Sequence, residues 1–168
     1  MAILSIRVVP DPTLKEPAKE VTVFNQQLRK LLGDMTETMY AAHGIGLAAP
    51  QVGILQRVAV VHAPPDTGQK FHLINPVITA REGSVDSEEG CLSIPDYHDS
   101  IKRAEQISVR YQDEFGTEHT LDADGILAIC IQHEVDHLDG ILFVDHLSRL
   151  KREFYKRWLK KFIAGDIE

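Results

Sequence analysis

The sequence has little cysteine and no long apolar run, and each shortage excludes a class of protein. Only two of the 168 residues are cysteines, Cys91 and Cys130, so a disulfide-stabilised secreted scaffold is excluded and a reducing cytosol is the expected compartment. The longest uninterrupted apolar run, 126–131, is far shorter than the roughly 20 residues that a membrane helix needs. Residues 1–9 contain neither a basic start nor a small-residue cleavage site, so we expect a soluble, unexported, cytoplasmic protein with no membrane partner.

Positive charge is also scarce, except near the C-terminus. The chain has 18 Lys and Arg against 25 Asp and Glu, a net charge of -7, which argues against a nucleic-acid-binding body. Residues 149–161 are the exception, because seven basic residues against Glu153 give this segment +6 and leave -13 on the rest of the chain. Large apolar residues recur there every four positions, which predicts that one helical face docks on the domain: Leu150, Phe154, Trp158 and Phe162. The basic residues of such a helix would face solvent. Without a binding partner for that basic face, the segment is simply a solvated amphipathic helix.

Three segments have the pattern of helices. Apolar residues spaced by three and four predict a helix over 25–42 with Asn25 as its N-cap. The mostly apolar segment 125–138 follows Asp124, a good N-cap residue, and predicts a buried helix. The amphipathic segment 148–164 predicts a last helix, basic on its exposed face. The stripe on the first of these helices consists of Leu28, Leu31, Leu32, Met35 and Met39.

The middle of the chain, residues 45–123, has the pattern of short strands separated by Gly and Pro. Adjacent antiparallel strands are predicted over 57–61, 71–78 and 106–111, and residues 113–116 predict a hairpin turn. No repeat or linker divides the chain, so we expect one domain over 1–168. Strands in the middle with helices at either end indicate an α+β fold, with antiparallel sheets packed around the apolar helix and a long C-terminal helix.

The apolar helix carries the motif His133-Glu134-Val135-Asp136-His137. Two imidazoles at i and i+4 project from one face of a helix, which is the geometry that chelates a divalent metal. The spacing leaves Glu134 beside the metal, where a carboxylate can act as a general base. The alternative is two histidines that cap or line a core helix.

A catalytic metal site of this kind needs a third protein ligand. The extended zinc-protease pattern places a histidine where this chain has Phe143, so that class lacks its ligand. Cys91 is the better candidate because a thiolate is a strong, soft ligand, and it stands in the Gly-containing segment Glu89-Gly-Cys-Leu-Ser93. A buried packing thiol is the other interpretation of Cys91, and packing or a pocket wall is the interpretation we favour for Cys130. Formal but poorly placed candidates are Asp139, Asp145, His146 and Glu153.

A third motif, Gly44-Ile-Gly-Leu-Ala-Ala-Pro-Gln51, follows the first predicted helix. It is not a phosphate loop, because it lacks the Lys-Ser/Thr ending and follows a helix instead of a strand. Its small residues allow a backbone to approach a ligand, and the Gln51 amide can donate to a developing oxyanion. On its own the motif indicates no more than a loop that ends a helix.

Together and in this order, the three motifs resemble the signatures of the peptide deformylases. The long C-terminal helix and the lack of a transit peptide are similar to the Gram-negative bacterial form of this family. The resemblance implies a hydrolase that removes the formyl group from the N-formylmethionine of new polypeptides. It implies one divalent metal per chain, usually Fe(II) with Zn, Ni or Co able to replace it, held by Cys91, His133 and His137. By position, Glu134 is the general base or acid, and the oxyanion donors are Gln51 and the backbone N–H of Leu92.

The same resemblance extends to substrate and partner. It implies that the backbone near Ile45 and Gly46 binds the substrate's peptide groups. Residues on the apolar helix can form a socket for the methionine side chain: Ile126, Ile129 and Cys130. The sequence departs from the family at His98, where many members carry Arg to meet a bound peptide, and at Ser87, where an apolar residue is common. The basic C-terminal helix implies docking on the ribosome near the exit tunnel, and we expect a monomer.

Three other functions fit parts of the sequence. A small zinc metallopeptidase needs only the H-E-x-x-H motif, and Cys91 argues against it. A structural zinc site is normally closed by four protein ligands, and no good fourth ligand is evident. A deformylase paralogue with altered specificity is the third, because of His98 and Ser87.

Overall fold

The computed structural model describes residues 2–165, so residues 1 and 166–168 of the expected domain lie outside the described part. It contains three α-helices, α1 (Gln26–Ala41), α2 (Gly125–Leu138) and α3 (Arg149–Ile163). The strands are β1 (Gly46–Ala48), β2 (Val58–His62), β3 (Lys70–Glu82), β4 (Val85–Cys91), β5 (Ile94–Arg103), β6 (Gln106–Gln112) and β7 (Glu118–Asp124). Short 3-10 helices cover Pro12–Lys15, Ala49–Val52 and Phe143–His146.

The strands form two antiparallel sheets, which confirms the predicted α+β fold. The larger sheet has the order β1-β2-β3-β6-β7, and β4 pairs with β5 in a separate two-stranded sheet. The hairpin between β6 and β7 forms as predicted, because Gly116 takes a φ of 86° and Asp113 accepts hydrogen bonds from the N–H groups of Phe115 and Thr117. Within residues 2–165, no helix combines the length and the apolar character that crossing a membrane requires.

Helix α2 lies in the core, as its apolar composition predicted. Its buried residues Ala128, Ile131 and Leu138 pack in one cluster with residues of the large sheet such as Val61 and Leu73. Each large apolar side chain removed from water contributes about 1.5–3 kcal/mol to folding. Burial of this face therefore holds the H-E-x-x-H motif at a constant position against the sheet.

The N-caps of the helices agree only in part with the sequence. Asn25 caps α1, accepting a hydrogen bond from the N–H of Leu28 at 3.1 Å, as expected. Asp124 occupies the N-cap position of α2, as predicted, although its side chain makes no capping hydrogen bond. Asp124 is the last residue of β7, where its backbone already pairs with β6, and this continuity of strand and helix positions the start of α2 instead.

The docked face of α3 differs from the predicted one. Tyr155 is buried, while Leu150 and Phe154 are largely exposed to solvent. Trp158 and Phe162 are partly buried as predicted, against a cluster that also includes Tyr97. The physical reason is helical pitch: four residues turn about 400°, so positions spaced by four drift about 40° around the helix at each step.

Two segments of the middle region also differ from expectation. The Gly44–Gln51 motif, expected to be a loop, contains the edge strand β1 and continues into the 3-10 helix Ala49–Val52. The segment around Cys91, expected to be a loop between strands, ends β4 and starts a two-residue turn into the ten-residue strand β5. Both segments flank the same cleft, and α2 forms its floor.

Candidate metal centre and active-site cleft

The fold brings together the three candidate ligands from two distant segments of the chain. Cys91 ends β4, and His133 and His137 lie one turn apart on α2. One donor atom from each of the three residues lies within 4.8 Å of the other two, and Cys91 Sγ is 3.3 Å from His137 Nε2. A soft sulfur with two imidazoles is a donor set that suits Fe(II), Zn or Co and is unsuited to Mg or Ca.

A carboxylate fixes the orientation of His133. Nδ1 of His133 donates to Oε1 of Glu89 at 2.9 Å. Burial raises the pKa of Glu89, but hydrogen bonds from Arg103 and His133 outweigh it and bring that pKa down to about 2. Glu89 is therefore ionised and accepts a hydrogen bond from the N–H at Nδ1 of His133. The proton stays on Nδ1, which leaves the Nε2 lone pair of His133 free for a metal.

Arg103 holds Glu89 in place. Its Nε and Nη2 atoms donate to the two carboxylate oxygens of Glu89, both at 2.8 Å, and its Nη1 donates to Asp136 Oδ2 at 2.6 Å. Neither Glu89 nor Arg103 was predicted from the sequence to have a role in the site. The sequence does contain an indication of their role. Both charged residues fall at inward positions of strands in which side chains alternate between buried and exposed.

Glu134 points its carboxylate at the same site without joining the three-donor group. Among residues 2–165, no hydrogen-bond partner reaches its buried Oε1. Burial raises the pKa of Glu134 to about 7. A Cβ at Gly46 would collide with Oε2 of Glu134 and lie 2.8 Å from Cys130 Sγ, so glycine is required for β1 to pass this close. The arrangement suits a proton carrier.

Gln51 lies in the 3-10 helix Ala49–Val52 with its amide oriented by the backbone. Its Oε1 accepts from the N–H of Ala48 at 2.9 Å, so the amide nitrogen faces the site. That nitrogen donates to Ser93 Oγ at 3.1 Å and lies 3.6 Å from Cys91 Sγ. Ser93, for which the sequence predicted no role, also donates its backbone N–H to Cys91 Sγ at 3.4 Å. Leu92 lies between these two residues in the turn.

A cleft of about 870 Å³ opens beside the three ligands. It is lined by Gln51 and Leu92 and by every residue predicted to contact substrate, namely Ile45, Gly46, His98, Ile126, Ile129 and Cys130. Ile126 is exposed at the rim, whereas burial raises the pKa of the Cys130 thiol well above its usual value and keeps it neutral. The His98 imidazole lies directly over Gly90, where a Cβ would collide with it.

The poorly placed ligand candidates are paired elsewhere. Their partners are Arg57 for Asp139, Lys15 for Asp145, Asp136 for His146 and Lys156 for Glu153. In the part of the chain that the structure describes, the three-donor group gains no fourth His, Cys, Asp or Glu. A structural zinc site is normally closed by four protein ligands, so this arrangement is instead that of an open, catalytic site.

A three-ligand centre beside a buried carboxylate, at the bottom of a peptide-sized cleft, defines a metal-dependent hydrolase. The particular family follows from comparison with known proteins. A profile described as Polypeptide deformylase matches residues 3–153, and the chain belongs to this family.

Individual relatives are similar to this chain over nearly its whole length. The peptide deformylase of Alkalilimnicola ehrlichii is 51% identical over 164 residues, covering 97% of this chain and 92% of that protein. The crystal structure of a peptide deformylase from Legionella pneumophila superposes with a TM-score of 0.91 at 43% identity, covering 98% of both chains. The Ehrlichia chaffeensis peptide deformylase in complex with actinonin gives 0.90 at 43% identity, covering 96% of this chain and 98% of that one.

These relationships assign the reaction. The chain is an enzyme that removes the N-formyl group from newly made polypeptides, and the metallopeptidase considered from the H-E-x-x-H motif alone is not supported. The family is metal-dependent, and in this chain Cys91, His133 and His137 form a cluster that could hold a metal ion.

Proposed function

We propose that this chain deformylates N-formylmethionyl nascent polypeptides in the cytoplasm, with Cys91, His133 and His137 holding one Fe(II) ion. The observation that carries the proposal is the convergence of one sulfur and two imidazole nitrogens within 4.8 Å of one another, beside the carboxylate of Glu134 with its unpartnered Oε1. When bound, the divalent ion supplies Lewis-acid polarisation of the formyl carbonyl. The ion-paired Glu89 supports this site by orienting His133.

Glu134 moves the protons of the reaction. Its Oε1 is buried, so it is shielded from competing solvent, and a carboxylate with a raised pKa can both accept and return a proton. It takes a proton from the attacking water and delivers it to the nitrogen of the leaving amine. Formate and a free N-terminus result.

The oxyanion that develops on the formyl group needs fixed donors. Gln51 provides one, because the N–H of Ala48 holds its Oε1 and so directs its Nε2 towards the site. The backbone N–H of Leu92 provides the second, from the turn that follows Cys91. Preorganised donors of this kind each contribute roughly 10²- to 10³-fold to turnover.

The backbone of the substrate pairs with the free edge of β1. The carbonyl of Ile45 accepts a hydrogen bond from the N–H of His62 at 2.8 Å, so the backbone groups of Ile45 point towards β2. Backbone direction alternates along a strand, so the N–H and C=O of Gly46 point towards the open edge. An extended peptide can therefore add to this edge as a further strand.

The methionine side chain occupies the apolar part of the cleft. Ile129 and Cys130 form its wall on α2, and Ile126 lies at its rim. Burying a methionine there is worth about 1.5–3 kcal/mol relative to glycine. His98, on the opposite wall, faces later residues of the peptide.

Formate release tests the proposed reaction. The protein is prepared anaerobically with iron and given formyl-Met-Ala-Ser, and formate and free amine should form in equal amounts. Unformylated Met-Ala-Ser is the matched control and should remain intact. Cleavage of its peptide bonds would instead identify a peptidase.

We also propose that α3 docks on the ribosome and that the chain acts as a monomer. The charges on α3 support the docking, because Lys156, Arg157 and Lys160 are exposed on a helix whose other face packs on the domain. Binding to RNA phosphates releases counterions, so affinity for ribosomes should fall steeply as salt rises. The monomer is an expectation from the sequence, and light scattering tests it.

A further inference from the structure

A continuous series of polar contacts connects the surface of the protein to the ligand His133. Nε2 of His146 donates to Oδ2 of Asp136 at 2.8 Å, and the same oxygen accepts from Nη1 of Arg103 at 2.6 Å. Arg103 donates two hydrogen bonds to the carboxylate of Glu89, and Glu89 accepts a further hydrogen bond from Nδ1 of His133. His146 is the outermost member of this series and was considered from sequence only as a poorly placed ligand.

Burial makes each inner member depend on its neighbours. The side chain of Arg103 is 4% exposed and that of Asp136 is 16% exposed, whereas that of His146 is 39% exposed. A buried guanidinium depends on protein partners because little water can replace them. Arg103 is held between Glu89 and Asp136, so loosening Asp136 would loosen the group that orients Glu89.

The segment that carries His146 contacts His133 a second time. Phe143, buried in the same 3-10 helix Phe143–His146, stacks on the His133 ring with centroids 6.2 Å apart and an interplanar angle of 26°. The short helix thus reaches one metal ligand from two directions: by a ring stack at its first residue and by the polar series at its last.

We propose that His146 is a positioning residue for the metal centre, acting on His133 through Asp136, Arg103 and Glu89. The inference rests on the proposed ligand set and is independent of the substrate. Direct partners of metal ligands change metal affinity about 10- to 100-fold when removed. His146 acts from further away, so we expect roughly 3- to 10-fold weaker metal binding without it.

The chain offers a matched control for this test. Nε2 of His119 bonds to Asp113 Oδ2 at the same 2.8 Å, with side chains 43% and 29% exposed, in the β6–β7 hairpin. This pair has no contact with the metal centre. Replacing His119 therefore measures the cost of losing a surface His–Asp pair as such.

The experiment measures Co(II) affinity by competition with a chelator, together with the visible ligand-field spectrum of the bound cobalt. His146→Ala should bind cobalt roughly 3- to 10-fold more weakly than the parent with an altered spectrum, and His119→Ala should match the parent. His146→Gln should restore both properties, because its amide nitrogen reaches about the position of Nε2. Parent-like affinity and spectrum in His146→Ala, or equal losses in both alanine variants, would overturn the proposal.

Thermal unfolding of each variant shows whether it is folded during the measurement. If His146→Ala is not folded, the comparison of His146→Gln with His146→Asn decides, because the shorter amide cannot reach Asp136. Equal cobalt affinity of these two would refute the positioning role, and weaker binding by the Asn variant would support it. Formate release is not needed for either result, so a failure of the proposed substrate assignment would be recognised separately.

Discussion

Helices α2 and α3 are of nearly equal length and are opposite in almost every other respect. Of the 14 residues of α2 eight are buried, whereas of the 15 residues of α3 only Tyr155 is buried. The charged groups of α2 lie in the interior, where Asp136 is paired with Arg103 and Glu134 faces the metal centre. Most of the basic side chains of α3 point into solvent.

This difference in burial between α2 and α3 illustrates two ways in which a helix can contribute to the function of a protein. On α2, function depends on individual atoms held at fixed distances, so a single substitution should affect catalysis. The ribosome docking proposed for α3 depends instead on summed charge, which is screened by salt and tolerant of single changes. Substitutions in and around α2 should therefore affect turnover of small formyl peptides, and substitutions on α3 should not.

Loss of the Cys91 thiolate, which faces α2, should have the largest effect on metal affinity and activity. Cys91→Ser replaces a soft thiolate with a neutral hydroxyl, so metal affinity should fall more than ~10²-fold and activity should fall with it. Metal analysis after dialysis and formate release measure both. Cys130→Ala is the matched thiol control and should retain the metal. Full metal content and activity in Cys91→Ser would show that the ligand set is wrong.

Removal of the Glu134 carboxylate on α2 should have the second-largest effect on activity. Glu134→Ala should retain one metal per chain and lose at least ~10²-fold in kcat, because a positioned acid/base group is lost while the ligands remain. Steady-state kinetics and metal analysis on the same sample distinguish the two quantities. Loss of the metal together with activity would place Glu134 in the coordination sphere.

The socket on α2 should have a smaller effect, confined to specificity. The parent should prefer formyl-Met over formyl-Gly peptides about 10- to 100-fold, the equivalent of about 1.5–3 kcal/mol of apolar burial. Ile129→Lys should abolish this preference by introducing a charge into the socket, and Ile126→Lys at the exposed rim should reduce it less. Comparison of kcat/KM for the two substrates measures the preference. Equal rates for both substrates in the parent would exclude the socket.

On α3, stability should depend on Tyr155 and not on the exposed apolar positions. Tyr155→Ala should lower the free energy of unfolding by about 2–4 kcal/mol, because it removes a buried aromatic side chain that packs edge-on against Tyr97 and stacks on Trp158. Leu150→Ala should change it by less than about 0.5 kcal/mol. Urea unfolding measures both. A large loss in Leu150→Ala would favour the docked face expected from the four-residue spacing.

Charge reversal on α3 should have the smallest effect on catalysis and should distinguish the two helices most sharply. Glutamate at Lys156, Arg157 and Lys160 should leave kcat/KM for free formyl peptides unchanged within about twofold, because these side chains are exposed and their charges are screened by salt. Ribosome binding in a sedimentation assay should be lost. Unchanged ribosome binding would leave α3 as a plain solvated amphipathic helix.

Local features of the site were predictable because they depend only on helix geometry. The i, i+4 spacing puts His133 and His137 on one face of any α-helix, and Glu134 then lies beside them. Asn25 caps α1 by a contact to a residue three positions away, which is also local. Cys91 required more than local geometry, because only its resemblance to a family motif and the lack of a better third ligand indicated it.

The residues alone were enough to predict the α+β class, the three helices, the H-E-x-x-H motif and the family to which the chain belongs. Three features became evident only in the folded chain: β1 is an edge strand, Tyr155 and not Leu150 docks α3, and Arg103 connects Glu89 to Asp136. Each of these depends on packing between segments that are distant along the chain. Spacing within a segment specifies which residues share a face, but the partner that covers that face is specified by the rest of the fold.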